Sequence, residues 1–354
     1  MPWLVRSVAL LLVCSAALAR SEPVTDVSSV QALTLALLDP GRAPASLSAQ
    51  VVELTDLLHR GAMPGLPGGG AFSDGETRTH QGLALSPAEA AQCAADAART
   101  VVFIRGLHAA ITEAVARFPD RPVRVLYVGS GPYALLATPL MSVWSPQQAQ
   151  FTVLDIHEPS IRSAQTLIEG LGLTDSVRRF EIGDALAYQV SADPPPDVIV
   201  MEIMTAALES EPQVAITRHL LQQAPDALLV PESIVIEAYW TDPATEFTQG
   251  SDDAERVYLG KVFELSPATV ASWQSLSGDS LPAAVLGPAA APGPGYVPML
   301  FTTIQARGEH VLRAHDSGLT MPRMFPGGGL PQGEVLRFYY QLGERPGLRA
   351  LAQD

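Results

Sequence analysis

The stretch Val123-Arg-Val-Leu-Tyr-Val-Gly-Ser-Gly-Pro-Tyr-Ala-Leu-Leu-Ala137 decides the fold. Val123, Val125, Leu126 and Val128 make a short apolar, β-branched run of the kind that forms a buried parallel strand. The run ends on Gly129-Ser130-Gly131, where missing Cβ atoms let the backbone turn sharply and approach a ligand. Helix formers follow from Ala134 to Ala137. The stretch therefore reads as strand, glycine turn and helix, a nucleotide cradle with helix N–H groups facing the ligand. A glycine turn without a ligand is the plain alternative. Gly129, Gly131 and Ala134 also satisfy G-x-G-x-x-G/A, and Asp155 lies 21 residues past Ala134. On this stretch alone NAD and S-adenosylmethionine both stay open.

Outward from it the pattern alternates. Strands are expected at 123–128, 151–154, 179–182, 197–201 and 227–230, with helices at 159–170 and 212–223. Such alternation implies βαβ units, hence an α/β fold with a Rossmann-like, doubly wound, mostly parallel sheet. Ser86-Pro87-Ala88-Glu89 is a capping box with proline at the first helical position, opening one or two helices that run to about Phe118. After Pro231 the segments 234–240, 257–263, 296–306, 310–313 and 335–341 read as strands between Pro/Gly-rich turns at 287–295 and 326–333. This gives a β-rich C-terminal region. The expected divisions are a signal peptide at 1–19, a leader and Gly/Pro-rich linker at 20–85, a nucleotide-binding domain at 86–231 and the β-rich domain at 232–354. Residues 20–50 read as a loose leader, and 61–75 as a linker or lid.

At 354 residues the chain can bury a sizeable core, and its formal net charge of −15 repels phosphate backbones, which argues against nucleic acid as a partner. Arg6, the apolar run 8–13 and Ala17-Leu18-Ala19 fit an export signal too short to span a bilayer. The expectation is an exported protein, periplasmic or secreted, without a stable membrane span after cleavage; a misassigned start would leave it cytoplasmic. Cleavage after Ala19 leaves Cys93 as the sole cysteine, so no internal disulfide can form. The seven histidines show no ligand spacing, and no metal is expected.

Carboxylates at strand ends carry the chemistry. Asp155, ending the second strand, can accept from ribose hydroxyls, or merely cap the next helix. Gly183-Asp184-Ala185 ends the third, with Asp184 placed for an adenine amine and Ala185 leaving room for the ring; a plain turn is the alternative. After the fourth, Glu202 and Glu211 stand nine residues apart at the ends of a loop. Two converging carboxylates can hold a guanidinium or ammonium by charge-assisted bonds, whereas an acidic loop can also be mere solvated surface. Tyr127 and Tyr133 are candidates for the pocket or the core, and Thr77-Arg78-Thr79-His80 for a lid or a plain solvated loop.

The loop from Glu202 to Glu211, with Met204 inside it and Ala224-Pro225-Asp226 leading into Leu228-Leu229-Val230-Pro231, resembles the double-Glu loop and following strand of protein arginine methyltransferases. Asp96-Ala-Ala-Arg99-Thr100-Val-Val-Phe103 is similar to that family's D-x-x-R-T-x-x-Y/F helix. The resemblance covers about residues 86–240. It implies a class I S-adenosylmethionine-dependent methyltransferase, with Arg99 reaching the cofactor carboxylate and Asp96 orienting Arg99. It further implies cofactor contacts at Gly129, Gly131, Asp155, Asp184 and Ala185, and catalytic roles for Glu202 and Glu211. The chain departs from the family where Tyr127 replaces an acidic residue and Tyr133 the third glycine, and no Thr-His-Trp loop is present. The acceptor is then a protein or a small molecule, a homodimer is allowed, and a small-molecule N- or O-methyltransferase or an exported non-catalytic binding protein are the alternatives.

Overall fold

The structure, a computed structural model, describes residues 26–63, 72–190, 194–248, 254–287, 290–325 and 335–353. The expected signal peptide, the glycine run 68–70 and the 326–333 turn lie outside them. Helix α1 (Val27–Leu38) starts on Asp26, whose carboxylate accepts from the Ser28 N–H. Helix α2 (Ser48–Ala62) puts Val51, Leu54 and Leu58 on one face by their three- and four-residue spacing. These side chains and Leu37 are fully buried. Arg105 donates to the carbonyls of Leu37, Asp39 and Arg42 at 2.7, 2.7 and 2.9 Å, which fixes the end of α1. The reading of a loose leader over 20–50 is therefore corrected: from Val27 onward this segment is part of the core.

Strands β1 (Thr77–Thr79) and β2 (Gly82–Ala84) pair as an antiparallel hairpin. Helix α3 (Pro87–Cys93) carries both bonds of the Ser86/Glu89 capping box, and α4 (Ala97–Arg117) begins afresh on Asp96. The expected helical run is thus two helices. Next come β3 (Val123–Val128), α5 (Thr138–Met141), β4 (Ala149–Asp155), α6 (Glu158–Gly170), β5 (Val177–Ile182), β6 (Val198–Met201), α7 (Gln213–Gln223) and β7 (Leu228–Val230). The five strands form one sheet in the order β5-β4-β3-β6-β7, parallel at every pairing. From β3 the chain fills the sheet through β4 to β5, then returns to fill the other side with β6 and β7. Right-handed crossovers run in opposite directions place α6 and α7 on opposite faces, so the sheet is doubly wound, with its switch point between β3 and β6.

One local expectation fails. No helix starts at the glycine turn; residues 131–137 are a series of turns, and α5 begins at Thr138. Ala134 adopts φ +44°, and the Thr138 hydroxyl donates to the Tyr133 carbonyl at 2.7 Å, which delays the helix. Backbone N–H groups of the loop, not a helix end, face the strand tips.

Beyond the cis Val230-Pro231 bond lie β8 (Ser233–Thr241), α8 (Pro243–Glu246), β9 (Val257–Leu265), α9 (Pro267–Ser272), β10 (Ser280–Leu286), β11 (Val297–Arg307), β12 (His310–Leu312), β13 (Arg323–Met324), β14 (Val335–Gln341) and β15 (Gly347–Gln353). They form an antiparallel sheet β12-β11-β8-β9, with β13 on β11, and a second sheet β10-β14-β15. Phe263 stacks on both Trp273 and Tyr340, with ring centroids 5.7 and 5.0 Å apart. Helix α4 lies between the parallel sheet and β11, and Gly106 permits that approach: a Cβ there would stand 2.6 Å from Ala306 Cβ.

Candidate functional site

Above the carboxyl ends of β3, β4 and β6, at the switch point, the structure opens a cleft of about 900 Å³ counted to its mouth. Its floor is the glycine turn. Gly129 and Gly131 adopt φ +68° and +62°, a region that L side chains rarely occupy, and a Cβ on Gly129 would meet Ile203 at 3.2 Å. Asp155 ends β4, buried, with Oδ2 accepting from the Gly131 N–H at 2.9 Å and Oδ1 from the His157 N–H at 2.8 Å. It therefore shapes the glycine turn as well as facing the cleft. Each carboxylate oxygen retains a second lone pair for a ligand hydroxyl. Beyond β5, Asp184 Oδ1 accepts from the Leu186 N–H at 2.9 Å, and Ala185 lines the wall beside it.

The opposite wall carries the opposed charges. Arg99, in the first turn of α4, forms an ion pair with Glu202, and both side chains are almost entirely buried. Burial alone would lower the guanidinium pKa, but the Glu202 carboxylate more than offsets it and holds it above the ordinary arginine value. Burial pushes Glu202 up, and Arg99 works against that shift. Glu211 is only 4% exposed. Burial, then the Glu202 charge, pushes its carboxyl up to about 8. Cys93 lines the same wall, and burial keeps it a thiol. Among the described residues Arg99 is the one arginine or lysine lining the cleft, against Asp155, Asp184, Glu202 and Glu211.

The loop between the two glutamates is held from several sides. Gln213 Oε1 accepts from the Ile203 N–H at 3.0 Å, and Thr205 donates to the Glu209 carbonyl. Ala207, Leu208 and Ser210 all take left-handed φ values near +60°. That shape costs energy for residues with a Cβ. External partners sustain it: the Ala207 N–H donates to Thr302 Oγ1 at 3.0 Å, and the Tyr340 hydroxyl donates to the Leu208 carbonyl at 2.7 Å. The Ser210 N–H donates to the Pro346 carbonyl at 3.2 Å, and the Ser210 carbonyl accepts from the Leu83 N–H at 2.8 Å.

All eight residues expected from the sequence line this one cleft. Sequence reasoning missed the Arg99–Glu202 pairing and the supports from Thr302, Tyr340 and Pro346; the β-branched and aromatic pattern of those strands marked only their secondary structure. One expectation changes, and two open choices are narrowed. Asp96 does not orient the Arg99 side chain: it caps α4 through the Arg99 N–H at 3.1 Å, and Oδ2 accepts from Ser317 Oγ and the Gly318 N–H at 2.6 and 2.9 Å. Tyr127 lines the cleft, but Tyr133 turns away to meet His59 at 2.8 Å and to pack edge-on against Phe72. Thr77-Arg78-Thr79-His80 is not a plain solvated loop: it forms one side of the β1–β2 hairpin, with the Thr77 hydroxyl 2.9 Å from His157 Nε2 and Thr79 on the cleft.

Among the described residues no group of side chains could hold a metal ion, and no helix is long and apolar enough to cross a membrane. No family model and no curated protein matches the chain. Among solved structures it is similar to Arabidopsis thaliana protein arginine methyltransferase 10, at 13% identity and TM-score 0.41, over 67% of this chain and 84% of that one. It is also similar to S-adenosylmethionine-dependent methyltransferases from Thiobacillus denitrificans (23% identity, TM-score 0.24, 37% of this chain) and Geobacter sulfurreducens (24%, 0.23, 37%), both in complex with S-adenosyl-L-homocysteine. The chain covers 49% of each of those two proteins.

Proposed function

We propose that this protein is a class I S-adenosylmethionine-dependent methyltransferase acting on a cationic nitrogen, arginine-like in charge, held between Glu202 and Glu211. The observation that carries the reading is the convergence, in one cleft at the sheet's switch point, of the glycine turn, Asp155, Asp184 and Ala185 with Arg99 and the paired glutamates. The residues fit the group. A tight cradle with a left-handed backbone at Gly129, ribose acceptors at Asp155, an acceptor for an amine at Asp184 and one guanidinium for a carboxylate match an adenosyl amino acid. Among the described residues, the cleft's excess of carboxylates over a single arginine suits a cation better than the phosphates of a dinucleotide.

When bound, S-adenosylmethionine supplies a methyl group already activated on a sulfonium. The chain's own share is alignment and charge. Asp155 and the glycine turn fix the adenosyl end, and Arg99 anchors the carboxylate. Glu202 and Glu211 place the acceptor nitrogen, exclude bulk water by their burial and take up its proton. An acceptor on a protein and a small-molecule amine satisfy this chemistry equally.

Calorimetric titration with S-adenosylmethionine, S-adenosylhomocysteine and NAD in parallel tests the reading. Micromolar binding of the first two and none of NAD is expected. Asp155→Ala should cost about 1.5–3 kcal/mol of that affinity, the range for a charge-assisted hydrogen bond. Binding of NAD alone would refute the assignment.

A further inference from the structure

We propose that Arg99 is a latch: paired with Glu202 it closes the acceptor site, and it releases Glu202 only when the cofactor's carboxylate draws the guanidinium away. The inference rests on the cofactor reading above and adds an order of loading to it.

The geometry carries it in three steps. First, Arg99 and Glu202 are paired now, with both side chains nearly out of solvent, so a cation aimed at Glu202 meets a positive charge already in place. Second, among the described residues no other arginine or lysine lines the cleft, so the same guanidinium serves both the acceptor carboxylate and a cofactor carboxylate. Third, the backbone of Arg99 is fixed, its N–H held by Asp96 in the first turn of α4, so the choice between partners is made by the side chain alone. Glu211 completes the picture. It is buried on the same wall, and no protein donor reaches its carboxyl among the described residues. With Arg99 withdrawn, the side chains of Glu202 and Glu211 face one acceptor volume without a cation, and a cationic nitrogen supplies it. By linkage the effect is reciprocal: whatever the cofactor does for the cation, the cation does for the cofactor.

The test measures binding of ethylguanidinium to the full chain by calorimetry in three states: empty, saturated with S-adenosylhomocysteine, and saturated with 5′-methylthioadenosine, which lacks the carboxylate. The latch predicts about tenfold tighter binding with S-adenosylhomocysteine than in the empty protein, and no gain with 5′-methylthioadenosine. Glu202→Gln should bind S-adenosylhomocysteine several-fold more tightly than the natural chain, because the competing carboxylate is gone. A residue with a merely structural role would weaken binding when altered. Equal or absent ethylguanidinium binding in the first two states, with S-adenosylhomocysteine bound normally, would overturn the latch and leave the cofactor reading standing. Failure of S-adenosylhomocysteine to bind the folded chain would overturn both.

Discussion

At Glu211, burial and the neighbouring Glu202 raise the side-chain pKa to about 8 from an ordinary value of 4.5. Between those two values the native protein keeps a proton that the unfolded chain has lost. Stability therefore falls as pH rises through this window and levels off above it. Glu211→Gln removes the penalty. The variant should be more stable than the natural chain by roughly 2–4 kcal/mol at pH 8.5 and nearly equal to it at pH 4.5. Chemical denaturation at both pH values decides this; equal stabilities at pH 8.5 would mean that Glu211 ionises freely. Most residues of the cleft were legible in the sequence because they sit just past a strand or in the first turn of a helix, where local pattern fixes their position; Glu211, in a loop, was legible only by its nine-residue spacing from Glu202. Their pairings were not. That Arg99 turns to Glu202, and Asp96 to Ser317, depends on side-chain directions between segments far apart in the chain.

Among the elements, the parallel strands declared themselves through continuous apolar runs, and all five form within a few residues of the expected positions. The edges of the β-rich region did not. β10, with Pro282 inside it and Val285 half exposed, and β15, with Leu351 exposed, lack a clean alternation, because an edge strand has only one neighbour to satisfy. α1 was hidden for a different reason: its Ser and Thr residues mimic a loop composition, and burial against the rest of the core supplies what propensity does not. The joint between α4 and β11 is a sharper case, since a glycine inside a helix is unfavourable on propensity alone. Gly106→Ala gains helix propensity yet drives a methyl to 2.6 Å from Ala306 Cβ, with the backbone of β11 directly behind. Overpacking should win, destabilising the protein by about 1–2 kcal/mol. Combining it with Ala306→Gly should recover part of the loss, giving a positive coupling in thermal or chemical denaturation. Additive losses would show that α4 has room to move.

Across the whole molecule, the β-rich region supplies the framework that holds the loop from Glu202 to Glu211 in shape. Three consecutive supports, Thr302 on Ala207, Tyr340 on Leu208 and Pro346 on Ser210, come from it, while the glycine turn, Asp155 and Asp184 belong to the parallel sheet. The cleft is thus divided by the origin of its supports: the parallel sheet shapes the glycine-turn wall and the β-rich region braces the loop of the paired glutamates, under the proposed function the cofactor and acceptor sides. Damage to a support should then separate the two binding events. Tyr340 is fully buried, and its hydroxyl makes a single bond, to the Leu208 carbonyl. Tyr340→Phe keeps the ring stack on Phe263 and deletes only that bond, costing about 1 kcal/mol of stability. Freed of it, the left-handed turn at Ala207 and Leu208 relaxes and Glu211 loses its position. S-adenosylhomocysteine affinity should stay within about twofold, while ethylguanidinium binding to the cofactor-loaded protein drops by roughly tenfold, the 1.4 kcal/mol equivalent of one misplaced charge contact. If both affinities fell together, the walls would be coupled through the sheet and the division by origin would be wrong. If neither fell, the loop would hold its shape without its β-rich support.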